Sequence, residues 1–401
     1  MKLLDRIAQG LDDLDARNLR RRLKVAETPC APVVRVGERD MLAFCSNDYL
    51  GLASHPAIAA ALKEGVDRYG VGSGASHLIS GHSRAHANFE ARVAQLYQPY
   101  IPYAGALLLS TGYLANLAVI NGLARLGDDV EFFSEQLNHA SIIDGLRMAR
   151  RPMQVYAHGH VEQLDQMLAQ SQAETRIIVT DSVFSMDGNL APLAGLLELA
   201  ERHDALLIVD DAHGYGVLGE SGLGALEQLN LRSERLVYMG TLGKAAGVSG
   251  AFIVAHAHIT EWLIQQARPY IYTTASVPAL AHALLASLDI IHGDEGTALR
   301  QQLFDNKTAL QNIVRLRQWS LPASQTAIQP VIIGPNDQAL RCAAFLGQQG
   351  LWVPAIRPPT VPEGTARLRV TVSAAHSDSD VARLARALNQ AEQELKHVRN
   401  D

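Results

Sequence analysis

The chain has 401 residues, 48% of them hydrophobic and 19% charged, with a net charge of −6. That length exceeds a single ordinary core and predicts a larger and a smaller domain, while interspersed acids and bases exclude nucleic acid or an anionic membrane surface as a partner. Three cysteines, Cys30, Cys45 and Cys342, are too few and too scattered for a disulfide framework or a metal site, and they fit a reducing cytoplasm. Asp5, Asp12, Asp13 and Asp15 among the first leucines exclude a signal peptide. No apolar run approaches the ~18 residues of a membrane span.

Leu3, Leu4, Ile7, Leu11, Leu14 and Leu19 recur at helical steps and predict an amphipathic helix to about Leu23, within an N-terminal helix and arm spanning 1–45. Its Arg20-Arg21-Arg22 run reads by itself as a solvated face. The block from Phe44 through Asn47 to Leu52 reads as a turn between a strand and a helix. Gly70 to His77 is glycine-rich but lacks the preceding strand and following lysine of a P-loop, so packing at the mouth of a site is expected. His77, His82 and His86 are too irregularly spaced to predict a metal site.

From residue 105 the pattern alternates. Strand-like runs fall at Ala106–Leu109, Val130–Phe133, Gln154–Tyr156, Ile177–Thr180, Leu206–Asp210, Leu236–Met239 and Ala251–Val254. Helical periods fall between most of them, as at Leu114–Leu126, Val161–Gln170 and Leu193–His203. Alternating βα units predict an α/β fold with a mostly parallel sheet covered on both faces, and ligands in such sheets bind at the strand C-termini. A large domain over 46–285 and a small α+β domain over 286–401 follow. In the latter, Ala327–Ile333 and Arg367–Val372 read as strands, and Asp337–Gln348 and Val381–Val398 as helices.

Chemistry-bearing residues follow the strand ends repeatedly. Ser110-Thr111-Gly112-Tyr113 opens a helix, which is either a ready anion site or an ordinary Ser/Thr cap. His139 follows the second run and can stack on a flat ligand or serve as a cap. Ser185 follows the fourth. The fifth ends in Asp210 with His213 three residues on, and the sixth leads to Thr241-Leu242-Gly243-Lys244. Lys244 alone reads as a solvated loop lysine. An acid at one strand end and a lysine beyond the next are together what pyridoxal phosphate (PLP) requires, since a carboxylate keeps the pyridine nitrogen protonated while an amine holds the aldehyde. Gly214-Tyr215-Gly216-Val217-Leu218-Gly219 spells GxGxxG, but no helix opens at the right point, so a dinucleotide site is not expected.

The Asp210-Asp211-Ala212-His213-Gly214 and Thr241-Leu242-Gly243-Lys244 blocks, at this spacing, resemble the α-oxoamine synthases, and the resemblance runs from about Leu42 to His376. These are PLP enzymes of the aspartate aminotransferase type I fold that condense an amino acid with an acyl thioester. The resemblance implies catalytic roles for Lys244, His139, Asp210 and His213. Lys244 would hold the cofactor and then take the Cα proton, Asp210 would pair with the ring nitrogen, His213 and Ser185 would bond the ring oxygen, and His139 would stack. Gly112, Tyr113 and Thr241 would hold the phosphate. Thr274, in Tyr270 to Ala275, would reach the phosphate of a neighbouring subunit, making a homodimer with shared active sites.

Asn47 would lie near the cofactor and substrate, and Arg21 would reach the acid end of the acyl group. Thr360 and Arg357 are held on a proline-stiffened loop. Arginine's bidentate fork suits a substrate carboxylate; Arg369 is the first candidate, Arg357 the second, and Arg367 reads as structural. The Ala355–Pro362 loop is most like the family member that joins L-alanine to a pimeloyl thioester on coenzyme A or an acyl-carrier protein. Glycine-using acetyl- and succinyl-transferring relatives and a serine-using palmitoyltransferase are the alternatives. A non-catalytic partner subunit should lose the lysine or its aspartate, and this chain keeps both.

Overall fold

Seven apolar segments pair as one sheet in the computed structural model, which describes residues 2–395 of the chain. They are β1 (Ala104–Leu109), β2 (Val130–Glu135), β3 (Met153–Tyr156), β4 (Thr175–Asp181), β5 (Ala205–Asp210), β6 (Leu236–Thr241) and β7 (Ala251–His256). Their order is β1-β7-β6-β5-β4-β2-β3; the pairs from β6 through to β3 are parallel, and only β7 runs against its neighbours. All seven expected runs are strands. β5, β6 and β7 are nearly continuous apolar runs rather than alternating ones because helices cover both faces of the sheet, whereas the edge strand β3 leaves Met153 and Val155 exposed. Phe132, Ile177, Ile208, Val237 and Ile253 are 0–1% exposed, and burying each stabilises the fold by about 1.5–3 kcal/mol. The consequence for function is alignment: Asp181, Asp210 and Met239 are direct register partners, so three strand ends finish side by side.

The chain divides into two units. The smaller contains the N-terminal segment to Asn47, Met186–Gly188 and everything from Gln302; the larger contains the rest. A boundary at 286 falls inside the helix Pro278–Ile291, and the division comes instead within the helix Asp294–Ile313. That helix has no sequence signal because two of the residues on its buried stripe are polar: Arg300 and Asn306 are buried alongside Leu303 and Leu310. Asn306 donates to the carbonyls of Ser373 and His376.

Within the smaller unit, the N-terminal arm is a sheet component rather than a separate piece. Arg39–Ala43 pairs antiparallel with Val33–Val36 and parallel with Leu351–Trp352. A second sheet joins Ile328–Gly334, Ala366–Thr371 and Ala355–Ile356. The helices are Asn336–Gln348 and Asp378–Leu395; residues 396–398 of the expected C-terminal helix lie outside the described residues.

The first helix is shorter than its leucine pattern predicts. It spans Leu3–Ala16 and buries none of its residues. Asn18 takes a left-handed conformation (φ 56°) that ends it, so Arg20 to Arg22 are not helical. Among the described residues no helix is long and apolar enough to cross a membrane.

The glycine-rich loop is tied down. Ser73 donates to the carbonyls of Ala275 and Ser276, and Ser76 bridges to Thr274. His77 stacks on Tyr270 at 4.6 Å and lies 3.0 Å from His82, Nδ1 to Nδ1. His86 completes the cluster with Nδ1 on Ser83 and Nε2 on the Ser276 carbonyl, so its ring nitrogens are committed to the protein. Burial first, then its two histidine neighbours, push His77 down to about 4, which keeps the cluster neutral.

Candidate active site

The larger unit gathers most of the expected cofactor residues at the ends of β4, β5 and β6. Asp210 is buried, its Oδ1 accepting from the amide of Ala212 and its Oδ2 from Asn116 Nδ2 at 2.7 Å. Lys244 is half-buried in the turn beyond β6, with Nζ 2.8 Å from His213 Nε2. The other ring nitrogen of His213 is 2.5 Å from the hydroxyl of the buried Tyr49. An ammonium on Lys244 can only donate, so Nε2 accepts and Nδ1–H donates to Tyr49.

His139 begins the helix Ala140–Ala149, and the first turn sets its ring. Nδ1 accepts from the Ser141 amide and lies 2.7 Å from Ser141 Oγ, while its own amide donates to Asp181. Burial lowers its pKa, the negative charge of Asp210 opposes that, and Lys244 adds to it. The result is a neutral imidazole with its proton on Nε2, a flat ring suited to stacking.

Gly112 and Tyr113 open the helix Gly112–Leu123, capped by Thr111, whose hydroxyl accepts from Leu114. The first amides of a helix have no carbonyl within it to bond, so those of Gly112 and Tyr113 are available to an anion. A β-carbon built on Gly112 would sit 3.6 Å from Thr241 Oγ1, which places this turn beside the Thr241 block. Thr241 is buried and donates to the Gly250 carbonyl at 3.3 Å. The Tyr113 side chain points to the Asp144 carboxylate, and Ser185 is half-buried in the turn after β4. Thr274 is exposed, held at the bridge to Ser76.

The remaining expected residues lie in the smaller unit. Arg369 is buried and donates from Nη1 to Asn47 Oδ1 and to Thr371 Oγ1, both at 3.0 Å. Arg21 donates to Thr360 Oγ1 at 3.4 Å, and Arg357 donates to the carbonyl of Asn18. Arg367 is paired with Asp187 at 2.5 Å, a structural contact.

Sequence reasoning missed Tyr49 and Asn116. Tyr49 sits in the same short block as Asn47, so its place beside a family-like asparagine was a usable signal. Asn116 had none, being one polar residue on an otherwise apolar helix face. The first glycine of the GxGxxG run packs against a neighbouring aspartate, while a β-carbon on Gly216 or Gly219 would meet Ala245 or Glu227. Asp211 is fully buried and accepts from Ser182, Tyr238 and the Ala225 amide; burial holds it up at about 6. A β-carbon on Gly214 or on Gly224 (φ +82°) would fall 2.0 Å from its oxygens, so both glycines answer to a buried carboxyl rather than a nucleotide.

Residues 39–388 match the model of the class I and II aminotransferase family. The chain is 60% identical to an 8-amino-7-oxononanoate synthase of Bordetella petrii, over 99% of this chain and 100% of that protein. Among solved structures, a serine palmitoyltransferase (SPT) with a PLP internal aldimine aligns with a TM-score of 0.90 at 27% identity, covering 99% of this chain and 100% of that one. An 8-amino-7-oxononanoate synthase from Francisella tularensis aligns with a TM-score of 0.75 at 28% identity, covering 89% and 98%.

Proposed function

Because the chain belongs to the class I and II aminotransferase family and, within it, to the 8-amino-7-oxononanoate synthases, we propose that it condenses L-alanine with a pimeloyl thioester. The products are 8-amino-7-oxononanoate, carbon dioxide and the freed thiol, a step of biotin synthesis. The observation that carries this reading is the meeting of Lys244, His213, Asp210 and His139 at adjacent strand ends in a chain so similar to those synthases.

The residues present fit pyridoxal phosphate: a helix-start anion turn beside Thr241, a buried carboxylate, a neutral imidazole and a half-buried amine. When bound, that cofactor supplies an electron sink for negative charge at the amino acid's Cα. Gly112, Tyr113 and Thr241 would hold its phosphate, with Thr274 serving the neighbouring subunit of a homodimer. Asp210 would pair with the ring nitrogen, His213 and Ser185 would bond the ring oxygen, and His139 would stack on the ring. Lys244 would hold the aldehyde carbon, and its amine is the base that would take the Cα proton of alanine. In the smaller unit, Arg369 takes the amino acid's carboxylate, with Arg357 as the second choice, and Asn47 orients it. Arg21 and Thr360 serve the acid end of the acyl chain. An acyl-carrier protein as donor and a cytoplasmic setting belong to the same reading, the latter supported by three free thiols.

The test is direct. Purified protein with PLP should show a visible absorption band that responds to L-alanine at lower concentration than to glycine or serine, and should release 8-amino-7-oxononanoate from a pimeloyl thioester. Preference for glycine with an acetyl or succinyl donor would move the chain to another reaction of the same chemistry. Tyr49→Phe should keep the band but lower kcat/KM roughly three- to tenfold, the worth of one neutral hydrogen bond orienting His213. Unchanged kinetics would remove Tyr49 from the site.

A further inference from the structure

Two carboxyls end adjacent strands at this site, and only one of them can serve the cofactor. Asp181 and Asp210 are direct register partners on β4 and β5, and both are buried. Two carboxylates at that separation in a desolvated site cannot both ionise without a large penalty, so one proton belongs to the pair. What decides its owner is the set of donors each carboxyl meets. Asp210 accepts from a side-chain amide and a backbone amide; Asp181 accepts from the amide of His139.

The side-chain donor is Asn116, itself 1% exposed on the helix Gly112–Leu123. Its two Nδ2 hydrogens are both used, one on Asp210 Oδ2 at 2.7 Å and one on Ser141 Oγ at 2.8 Å. Its Oδ1 is buried with no hydrogen-bond partner. An orphaned buried carbonyl is costly, yet rotating the amide would set that oxygen against the Asp210 carboxylate, which is worse. The orientation is therefore dictated by a negative charge on Asp210. The same amide orders the next group, since Ser141, accepting from Asn116, donates to His139 Nδ1.

We propose that Asn116 is a positioning residue that places the negative charge of this carboxyl pair on Asp210 rather than Asp181, and so prepares Asp210 for the cofactor's ring nitrogen. The inference rests on the PLP reading above. Burial first, and then the charge of Asp210, hold the Asp181 carboxyl well above the usual carboxylate range, as the protonated partner should be. The other titratable groups acting on the pair are Lys244, Glu135, His139 and Asp211.

Asn116→Leu removes the donor at similar volume, and Asp181→Asn removes the competing carboxyl while keeping an acceptor for the His139 amide. With full-length protein, PLP affinity is measured by fluorescence, the visible band is titrated with pH, and folding is checked by circular dichroism. Asn116→Leu is expected to weaken PLP binding roughly tenfold or more, the loss of a hydrogen bond to a charged group, and to shift the pH midpoint of the band. Asp181→Asn alone should bind PLP as the unaltered protein does. The double variant should recover most of the lost affinity, because the charge then has only one carboxyl to occupy. If Asn116→Leu fails to fold, Ser141→Ala, which leaves an amide hydrogen unpaired and loosens Asn116, should shift the midpoint in the same direction. Unaltered protein with no band would overturn the PLP reading itself. A band with Asn116→Leu indistinguishable from unaltered protein, or no recovery in the double variant, would overturn the role of Asn116 alone.

Discussion

Lys244→Ala is expected to abolish the visible band formed with PLP and to cut turnover by about a thousandfold or more, since in the proposed reaction one residue is both anchor and Cα base. The substitution should be mild for the fold. Lys244 is half-buried in a turn, with Nζ 2.8 Å from His213 Nε2. Thermal unfolding of the variant should therefore stay within a few degrees of the unaltered protein, while absorbance and product release collapse. An added primary amine should restore part of the proton transfer without restoring the anchored band. Retained turnover with no band would mean that the chemistry does not pass through Lys244, and the functional assignment would fall with it.

Asp210→Asn is the second large effect, a fall of roughly a hundred- to a thousandfold in kcat, the scale of removing one preorganised electrostatic partner from a reacting centre. The physical reason is specific to this site. Asparagine cannot carry the charge that stabilises a protonated ring nitrogen, and its one oxygen cannot replace both acceptors, so either Asn116 Nδ2 or the Ala212 amide meets an NH2 group instead. Steady-state turnover and the pH titration of the visible band report both consequences. The contrast with Asp181→Asn is the sharper part of the expectation. The two carboxyls are register neighbours of similar burial, yet only one substitution should be severe. Comparable losses from both would show that the pair acts as a unit.

The seven strands were legible because a sheet covered on both faces demands continuous apolar runs, and nothing else in this chain supplies them at that spacing. The placement of Lys244, Asp210, His213, His139 and the Gly112 turn was legible for a related reason: each lies at or just beyond a strand end, where ligands bind in parallel sheets. The helix Asp294–Ile313 was hidden because its buried stripe includes Arg300 and Asn306, whose hydrogen bonds to distant carbonyls replace hydrophobic burial. The first helix was overread for the opposite reason: leucine spacing alone carries the pattern past Ala16, while the left-handed Asn18 ends it. The partners that tune the site were beyond local pattern altogether. Asn116 meets Asp210 across 94 residues of sequence, and Tyr49 meets His213 across 164. A hydrogen bond between side chains so far apart leaves no periodicity and no local motif; only the packing of helix on sheet brings donor and acceptor within reach. Sequence by itself determined the sheet, the lysine and its aspartate. The tertiary structure alone decided which neighbours meet that aspartate and the histidine beside that lysine.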